Sequence, residues 1–316
     1  MSSLYIDRRG VEVRLDGEAL AFYEKGARAG TIPLAPLERV FLRGDVILHA
    51  NLLGKLGEKG IGVVVLSGRK AEPSLLMATP HNDASRRIAQ FRMSQNPEFC
   101  LKISKQLMEK KLKGQIALLE TILDGNLRHR FLVGHRQRFM KESLEKMAAC
   151  ADLASLRGLE GVSTREYFQA LAEVLPKSLG FHGRNRRPPK DPFNAVLSLG
   201  YTLLQAEASI ALYGAGLDPY VGFYHALEYG RESLACDVVE ALRPEVDRFS
   251  IQCFREQTLR PEDFSTPDDG SCLLGKAGRE RFYPAWEAFA EEFRRQLTGA
   301  ANDLADMLQK SAARPS

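Results

Sequence analysis

Residues 61–94 read IGVVVLSGRKAEPSLLMATPHNDASRRIAQFRMS, and within them one periodicity gives way to another. The continuous apolar run at residues 61–66 is typical of a buried strand. From Asp83, which is placed to cap a helix, apolar residues recur about every 3.6 positions. The pattern therefore predicts a boundary near residue 80, with strands before it and helices after it.

The residues before this boundary favour a small β-rich domain. Turn signals separate short β-prone runs at about the spacing of a small sandwich or barrel. These runs lie at residues 4–6, 11–15, 19–23 and 40–42. One short helix is expected at residues 51–59, and a last strand at Leu75 and Leu76. The sequence thus predicts a β-sandwich-like domain at residues 1–80.

Long helical patterns dominate the chain after the boundary. They cover residues 97–123, 126–149, 163–174, 191–213 and 281–310. The segment 183–192 holds three prolines and is expected to be a loop. Residues 311–316 are expected to be a frayed tail. The fold class we expect is α+β, with a large all-α domain at residues 81–310 after the small β domain.

The composition is that of an ordinary soluble protein. Of the 316 residues, 44% are hydrophobic and 27% are charged. We find no run of about 18 apolar residues and no apolar centre of a signal peptide, so we expect no membrane partner. The five cysteines are scattered without a Cys-x-x-Cys pair. That pattern favours reduced thiols in the cytoplasm over a disulfide framework or a zinc knuckle.

Positive charge is concentrated in two parts of the chain, although the net charge is only +4. Residues 81–150 carry 14 Lys or Arg against 7 Asp or Glu. A second basic cluster follows in the predicted loop and consists of Arg184, Arg186, Arg187 and Lys190. Such surfaces can hold a polyanion such as nucleic acid. For residues 81–150 alone, a solvated helix face explains the charge equally well.

The run GFYHALEYGRESLACDVVE at residues 222–240 contains a candidate metal site. Asp237 and Glu240 lie three residues apart in a predicted helix at residues 233–242, which places both carboxylates on one face. His225 lies just upstream, across a Gly-Arg turn. Imidazole and oxygen ligands without a thiolate cluster favour Mg²⁺ or Mn²⁺ over structural zinc.

The spacing alone favours a simpler interpretation of these three residues. Carboxylates three apart are most often a solvated helix face, and a lone histidine is most often a satisfied polar residue. The apolar residues of the predicted helix favour a metal site, because they make the helix amphipathic. The carboxylates would then lie near the edge of a buried face, where an unpaired charge is costly and a metal ion would relieve the cost.

Glu160 is a further candidate, since it lies in the run Leu156–Phe168 between two glycines. We expect it at the entry to a helix, where glycine lets the backbone turn and lets another group come close. The alternative is an acid at a helix start that complements the helix dipole. Considered without the other motifs, Glu160 is better explained as such a helix-start acid.

Together these motifs resemble one family over essentially the whole chain. After the β-rich domain, the motifs occur in the family's order: GLEG at residues 158–161 with Arg165 and Tyr167-Phe168, RNRRPPKDPFNAVLSLGYTLL at 184–204, GAGLDPY at 214–220, GFYH at 222–225, and SLACDVVE at 233–240 with Arg243-Pro244. The chain is similar to the CRISPR-associated integrase and endonuclease of the adaptation module, the "Cas-one" family.

The resemblance implies a metal-dependent DNA integrase that inserts spacers in antiviral defence. It implies a homodimer formed through the N-terminal β domain, with residues 81–310 as the catalytic domain. Two homodimers would flank a dimer of the small adaptation partner, the "Cas-two" protein, in a heterohexamer. The complex would join the 3′-OH ends of short double-stranded DNA to the two ends of a CRISPR repeat.

The resemblance also implies roles for individual residues. Glu160, His225 and Glu240 would hold Mg²⁺ or Mn²⁺, and Asp237 matches a nearby acid that supports the site or contributes to it. Many members of the family have aspartate at the position of Glu240, so the ligand geometry here could differ slightly. His225 could instead act as a general acid for the leaving 3′-oxygen.

The candidate DNA contacts are arginines, a lysine and two tyrosines. Arginine can bond two phosphate oxygens at once, which favours Arg165, Arg184, Arg186, Arg187 and, as a further cation, Lys190. Tyr201 and Tyr224 could stack on a splayed base, or they could pack as ordinary aromatics. Two other functions compete with integration: a metal nuclease that cuts branched DNA with water, and a nucleic-acid-binding scaffold without chemistry.

Overall fold

A computed structural model of the chain describes residues 2–67, 72–76, 81, 83–124, 127–186 and 188–312. Arg187 therefore lies outside the described residues. The chain divides into two compact units, Met1–Asn82 with Trp286–Glu292, and Asp83–Ala285 with Phe293–Ser316. Strands come first and helices follow, so the predicted α+β class is confirmed.

The first unit contains two four-stranded sheets and one helix within its described residues. Its elements are β1 (Ser2–Asp7), β2 (Val11–Asp16), β3 (Ala19–Glu24), β4 (Ala27–Pro33), β5 (Leu37–Arg43), β6 (Val46–Leu48), α1 (Ala50–Glu58), β7 (Gly62–Ser67) and β8 (Glu72–Leu76). The strand orders are β4-β3-β2-β6 and β1-β5-β7-β8. Apolar side chains of both sheets and of α1 share one core, as a sandwich requires.

The strands β4 and β6 and the parallel pairing of β1 with β5 were absent from the sequence prediction. The strand β4 was missed because all but one of its seven residues are exposed, so it lacks the apolar alternation of a half-buried strand. The strands β1 and β5 pair in parallel, with Leu4 opposite Val40. A segment from the far end of the chain also joins the unit: Glu287 accepts hydrogen bonds from the Ser3 backbone N–H (2.8 Å) and the Tyr5 hydroxyl (3.2 Å).

The second unit is mainly helical. Its elements are α2 (Ala84–Ser94), α3 (Pro97–Leu123), α4 (Leu127–Ala149), α5 (Leu153–Val174), α6 (Pro192–Gly214), α7 (Ser233–Glu240), α8 (Arg243–Arg255), a short pair of strands β9 (Phe264–Ser265) and β10 (Leu273–Leu274), and α9 (Lys276–Ala312). Asp83 caps α2 by accepting a hydrogen bond from the Ser85 N–H at 2.8 Å, as predicted. The predicted loop at 183–192 contains no regular element before Pro192 among its described residues.

The prediction for the helix around Glu160 was wrong. The helix α5 begins at Leu153 instead of residue 163, because Asp152 caps it by accepting from the Ser155 N–H at 2.8 Å. Glu160 therefore lies inside the helix and not at its entry. A glycine within a helix costs only about 1 kcal/mol relative to alanine, so Gly158 and Gly161 do not end it.

The structure also differs from the prediction just after residue 240 and at the end of the chain. The predicted helix at 233–242 ends at Glu240, and the unpredicted α8 follows at once with Pro244 in its first turn. Of the predicted tail, residues 311 and 312 belong to α9, and residues 313–316 lie outside the described part of the chain.

In the described part of the chain, α6 alone is long and apolar enough by composition to cross a membrane, and 67% of its apolar window is buried inside the protein. Such burial is typical of a core helix.

Candidate metal centre

Three helices of the second unit bring two distant carboxylates to one cation. Lys111 of α3 places its Nζ 2.5 Å from Glu160 Oε1 of α5 and 2.6 Å from Glu240 Oε2 of α7. Lys111 is only 5% exposed and Glu240 only 6%. The structure thus brings Glu160 and Glu240 together, and it adds a buried lysine that the sequence analysis did not single out. A lysine within a helical pattern ordinarily indicates a solvated face, so no local signal marked it.

His225 is held beside this pair by Asp237. The imidazole Nδ1 lies 2.7 Å from Asp237 Oδ1, and the Asp237 side chain is fully buried. The same carboxylate accepts backbone hydrogen bonds from Phe223 (2.6 Å), Tyr224 (2.9 Å) and His225 (2.9 Å). With Nδ1 turned to a carboxylate, Nε2 is the nitrogen that remains for a metal or a substrate. Asp237 therefore positions both the loop and the imidazole.

Gly222 allows the loop before His225 to pack against α7. A Cβ atom at this position would lie 2.7 Å from Asp237 Oδ2 and 2.8 Å from the carbonyl carbon of Ser233. Both atoms are held in place, the first by its hydrogen bonds and the second by the helix. The loop therefore requires glycine for close approach and not for an unusual backbone angle.

We expect Gly222→Ala to lower the free energy of unfolding by about 2 kcal/mol, because overpacking of this size forces a backbone shift. The measurement is urea unfolding followed by circular dichroism. The matched control is Gly214→Ala at the end of α6, where nothing lies within 4 Å of the added Cβ. Equal stability of the two variants would contradict the close approach.

The charges around Glu240 keep it ionised despite its burial. Arg243 Nε lies 2.8 Å from Glu240 Oε1, on the side opposite to the contact of Oε2 with Lys111. Burial by itself would raise the pKa of Glu240, but Arg243 and Lys111 outweigh it, and the pKa falls to about 2. The proximity of His225 lowers the pKa of Glu240 further. His225 is therefore near enough to Glu240 to act on its charge.

The donor set fits a hard divalent cation. Glu240 Oε2 is buried, and among the described residues its ion pair with Lys111 is the contact that satisfies it. Two carboxylates and an imidazole are donors that Mg²⁺ and Mn²⁺ accept. Among the described residues, no three His, Cys, Asp or Glu side chains are arranged to hold an ion as they stand. The Lys111 ammonium lies between the two carboxylates instead.

A buried polar network lies next to this centre. The Tyr201 ring is contacted by the guanidinium groups of Arg184 (5.4 Å) and Arg243 (4.6 Å). The hydroxyls of Tyr201 and Tyr167 both donate to Asp247, the latter at 2.9 Å. Burial lowers the pKa of Arg184 to about 10. Arg184 is thus part of the internal network as well as a candidate DNA contact.

Asp247 makes stability depend on pH through this network. Burial raises its pKa to about 6, although the two tyrosine hydroxyls, Arg243 and Arg184 oppose the shift. Its pKa in the unfolded chain is about 4, so between pH 4 and 6 the folded state binds more protons than the unfolded state. Stability from this group is fully present below about pH 4 and is lost as the pH rises to about 6.

We therefore expect Asp247→Asn to flatten the pH dependence of stability in that window. The wild-type unfolding free energy should fall by up to roughly 3 kcal/mol more than that of the variant between pH 4 and 6. Urea titrations of both proteins at pH 4, 5, 6 and 7 measure the difference. Parallel curves would mean that Asp247 titrates normally in the folded protein.

The predicted DNA-contact residues differ in their exposure. Arg165, Arg186 and Lys190 are exposed. A small pocket beside the centre is lined by Lys111, Gln115, Thr164, Phe168, Arg184, Arg186, Tyr201 and Arg243. Tyr224 is only 4% exposed, and Arg157 both contacts its ring and donates to its carbonyl oxygen. Stacking of Tyr201 or Tyr224 on a base would require each ring to leave these contacts.

Fold and site together define an α+β protein whose helical unit holds a partly buried centre of two carboxylates and an imidazole. The family model described as "CRISPR associated protein Cas1" matches residues 4–288. The chain is 38% identical to the CRISPR-associated endonuclease Cas1 1 of Thermodesulfovibrio yellowstonii, over 96% of each protein. This chain belongs to the CRISPR-associated Cas1 family.

Two solved structures share its fold. A casposase bound to integration product superposes with a TM-score of 0.85 at 20% identity, covering 99% of this chain and 92% of the other. A chain of a Cas6-RT-Cas1–Cas2 complex superposes with a TM-score of 0.82 at 26% identity, covering 99% of this chain and 35% of the other. At 20% identity, the first likeness shows the fold alone.

Proposed function

We propose that this protein is a metal-dependent DNA integrase and endonuclease of CRISPR adaptation. It joins the 3′-OH ends of short double-stranded DNA to phosphodiesters at a CRISPR repeat. The observation that carries the proposal is the convergence of Glu160 and Glu240 on one cation beside His225. The family, the name of the endonuclease relative and the fold shared with a casposase bound to integration product support it.

The residues that would hold Mg²⁺ or Mn²⁺ are Glu160, Glu240 and His225, the last through Nε2. When bound, the ion would supply charge that stabilises the phosphoryl oxygens during displacement. Glu240 stays ionised at any physiological pH, because its pKa is about 2. Asp237 supports this set by fixing the imidazole from behind, as partners of metal-bound histidines do.

The reaction we propose is a transesterification. A 3′-hydroxyl oxygen of the incoming DNA loses its proton and bonds to a repeat phosphorus, and the bond from that phosphorus to the repeat 3′-oxygen breaks. The departing 3′-oxygen gains a proton and becomes a hydroxyl. His225 could supply this proton as a general acid instead of acting as a metal ligand. Its Nδ1 is turned to Asp237, so its Nε2 remains for either role.

The DNA path we propose runs over the basic residues next to the centre. The exposed cations Arg165, Arg186 and Lys190 are available for phosphates, and Arg184 lines the small pocket with Arg186. Arg187 stays a candidate from the sequence. Stacking by Tyr201 or Tyr224 also stays a prediction. Each phosphate contact would make DNA binding more sensitive to salt.

The assembly we propose is a homodimer formed through residues 1–80, with residues 81–310 as the catalytic domain. Two homodimers would bind a dimer of a small Cas2 protein in a heterohexamer. The solved Cas6-RT-Cas1–Cas2 complex, which contains a chain of the same fold, supports a partner of this kind.

The test is a plasmid integration assay with the purified protein, with and without its small partner. A short duplex with 3′-OH ends and a repeat-bearing plasmid are incubated with Mg²⁺, Mn²⁺ or EDTA. We expect joining that requires the metal and disappears when the 3′ ends are blocked. Cutting that is indifferent to the 3′ ends would identify a nuclease, and binding without chemistry would identify a scaffold.

A further inference from the structure

The proposed reaction assigns no role to Lys111. This lysine lies on α3, and its ammonium contacts both carboxylates that the metal would need. Glu160 Oε1 also accepts a hydrogen bond from Thr164 Oγ1 at 2.8 Å, so this one oxygen has two donors. The lysine thus connects two carboxylates that come from different helices.

Burial makes this contact energetically important. Two carboxylates this close to each other repel unless a cation lies between them. The ammonium supplies that cation. A divalent ion bound to the same two carboxylates would compete with it, because two cations cannot share one small buried space without strong repulsion.

In the metal-free protein, neighbouring positive charges disfavour movement of the ammonium away from the two carboxylates. Lys111 lines the small pocket together with three other cations, Arg184, Arg186 and Arg243. An ammonium that moved away from the two carboxylates and toward these cations would be repelled unless an anion entered the pocket too. In the metal-free protein, the position between Glu160 and Glu240 is therefore the favoured one for Lys111.

We propose that the Lys111 ammonium occupies the position of the divalent ion between Glu160 and Glu240 and is displaced when the ion binds. Lys111 keeps the two carboxylates assembled without metal, and it lowers the affinity for the ion by competing with it. This role rests on the proposed metal-dependent function. It makes Lys111 a positioning residue whose removal should strengthen metal binding.

Metal affinity is the decisive measurement. Mn²⁺ is titrated into the wild-type protein, Lys111→Met and Lys111→Gln by calorimetry, without DNA. Both neutral variants should bind Mn²⁺ at least about tenfold more tightly, since the binding-competent state no longer requires displacement of the ammonium. Lys111→Gln can still donate hydrogen bonds to a carboxylate, so it serves if Lys111→Met does not fold.

Lys113→Met is the matched control, because it removes the same charge from the same helix. Lys113 is exposed and pairs with Glu109 at 2.6 Å, so its loss should leave the Mn²⁺ affinity unchanged. The proposal is overturned if a folded Lys111 variant binds Mn²⁺ no more tightly than the wild type does.

Thermal unfolding gives a second readout that a merely structural lysine would not reproduce. In EDTA, Lys111→Met should unfold at a lower temperature than the wild type, and saturating Mn²⁺ should remove most of the difference. If Mn²⁺ leaves the difference in unfolding temperature unchanged, the proposed displacement of the Lys111 ammonium by the ion is contradicted.

The failure of this inference is distinguishable from the failure of the proposed function. If the wild type binds Mn²⁺ and joins 3′-OH ends while the Lys111 variants bind no more tightly, only the role of Lys111 is wrong. If neither the wild type nor the variants bind Mn²⁺, both proposals fail.

Discussion

Glu240→Gln is expected to reduce the joining of 3′-OH ends by at least about a hundredfold while the chain stays folded. Removal of groups that merely support a metal ligand costs about tenfold to a hundredfold, so loss of the charge of Glu240, which we propose as a ligand, should cost at least as much. The amide has the shape of the carboxylate but lacks the charge that pairs with Lys111 and Arg243. The measurement is the initial rate of plasmid integration at saturating Mn²⁺, with duplex binding measured beside it.

Glutamine is a better replacement than alanine at this position. Alanine would leave two buried cations beside a cavity, and breaking a buried ion pair costs about 3–5 kcal/mol. Such a loss of stability would mimic a loss of chemistry. The control is Glu245→Gln, which removes a carboxylate from an ion pair with Arg248 on α8. Full joining activity of Glu240→Gln would show that the site is assigned wrongly.

Asp237→Ala should lower the free energy of unfolding by about 4 kcal/mol. Its carboxylate accepts hydrogen bonds from three consecutive backbone N–H groups and contacts the His225 ring. Without it, buried donors lose their partner and the loop before His225 loses its anchor on α7. The free energy of unfolding in urea measures the loss.

Asp237→Asn separates positioning from stability. It keeps the shape but has one oxygen where the loop offers several donors, so joining should fall by about tenfold to a hundredfold. Asp218→Asn is the control in the same part of the chain, where the Asp218 side chain accepts a hydrogen bond from the Tyr220 N–H. Wild-type joining by Asp237→Asn would mean that the imidazole does not depend on Asp237 for its orientation.

The elements that the sequence predicted well have strong local patterns. The valine-rich run at residues 61–66 forms most of β7, and the apolar repeat of residues 97–123 coincides with α3. The strand β4 and the start of α5 were not predicted, because exposure removes the alternation in the first and two glycines weaken the pattern in the second. Local propensity is a weak guide where tertiary contacts decide.

The same contrast between local sequence patterns and tertiary contacts applies to the candidate site. Asp237 and Glu240 lie three residues apart, so their spacing alone could indicate a shared helix face, with His225 just upstream. In the structure, Asp237 is turned to the loop and Glu240 is turned to α3. This difference depends on packing between helices. Lys111 could not have been found from the sequence, because no local pattern distinguishes a buried lysine from a solvated one.

The contacts of Glu287 with Ser3 and Tyr5 have a consequence for synthesis on the ribosome. Domains generally fold in order as they emerge, with the N-terminal one first. Here the first strand donates hydrogen bonds to a helix near the other end of the chain. The N-terminal unit can acquire its final contacts only after residue 292 has been translated. A fragment that stops at residue 82 would therefore lack part of its own first unit, and ribosome-bound chains of increasing length should gain protease resistance in that unit late.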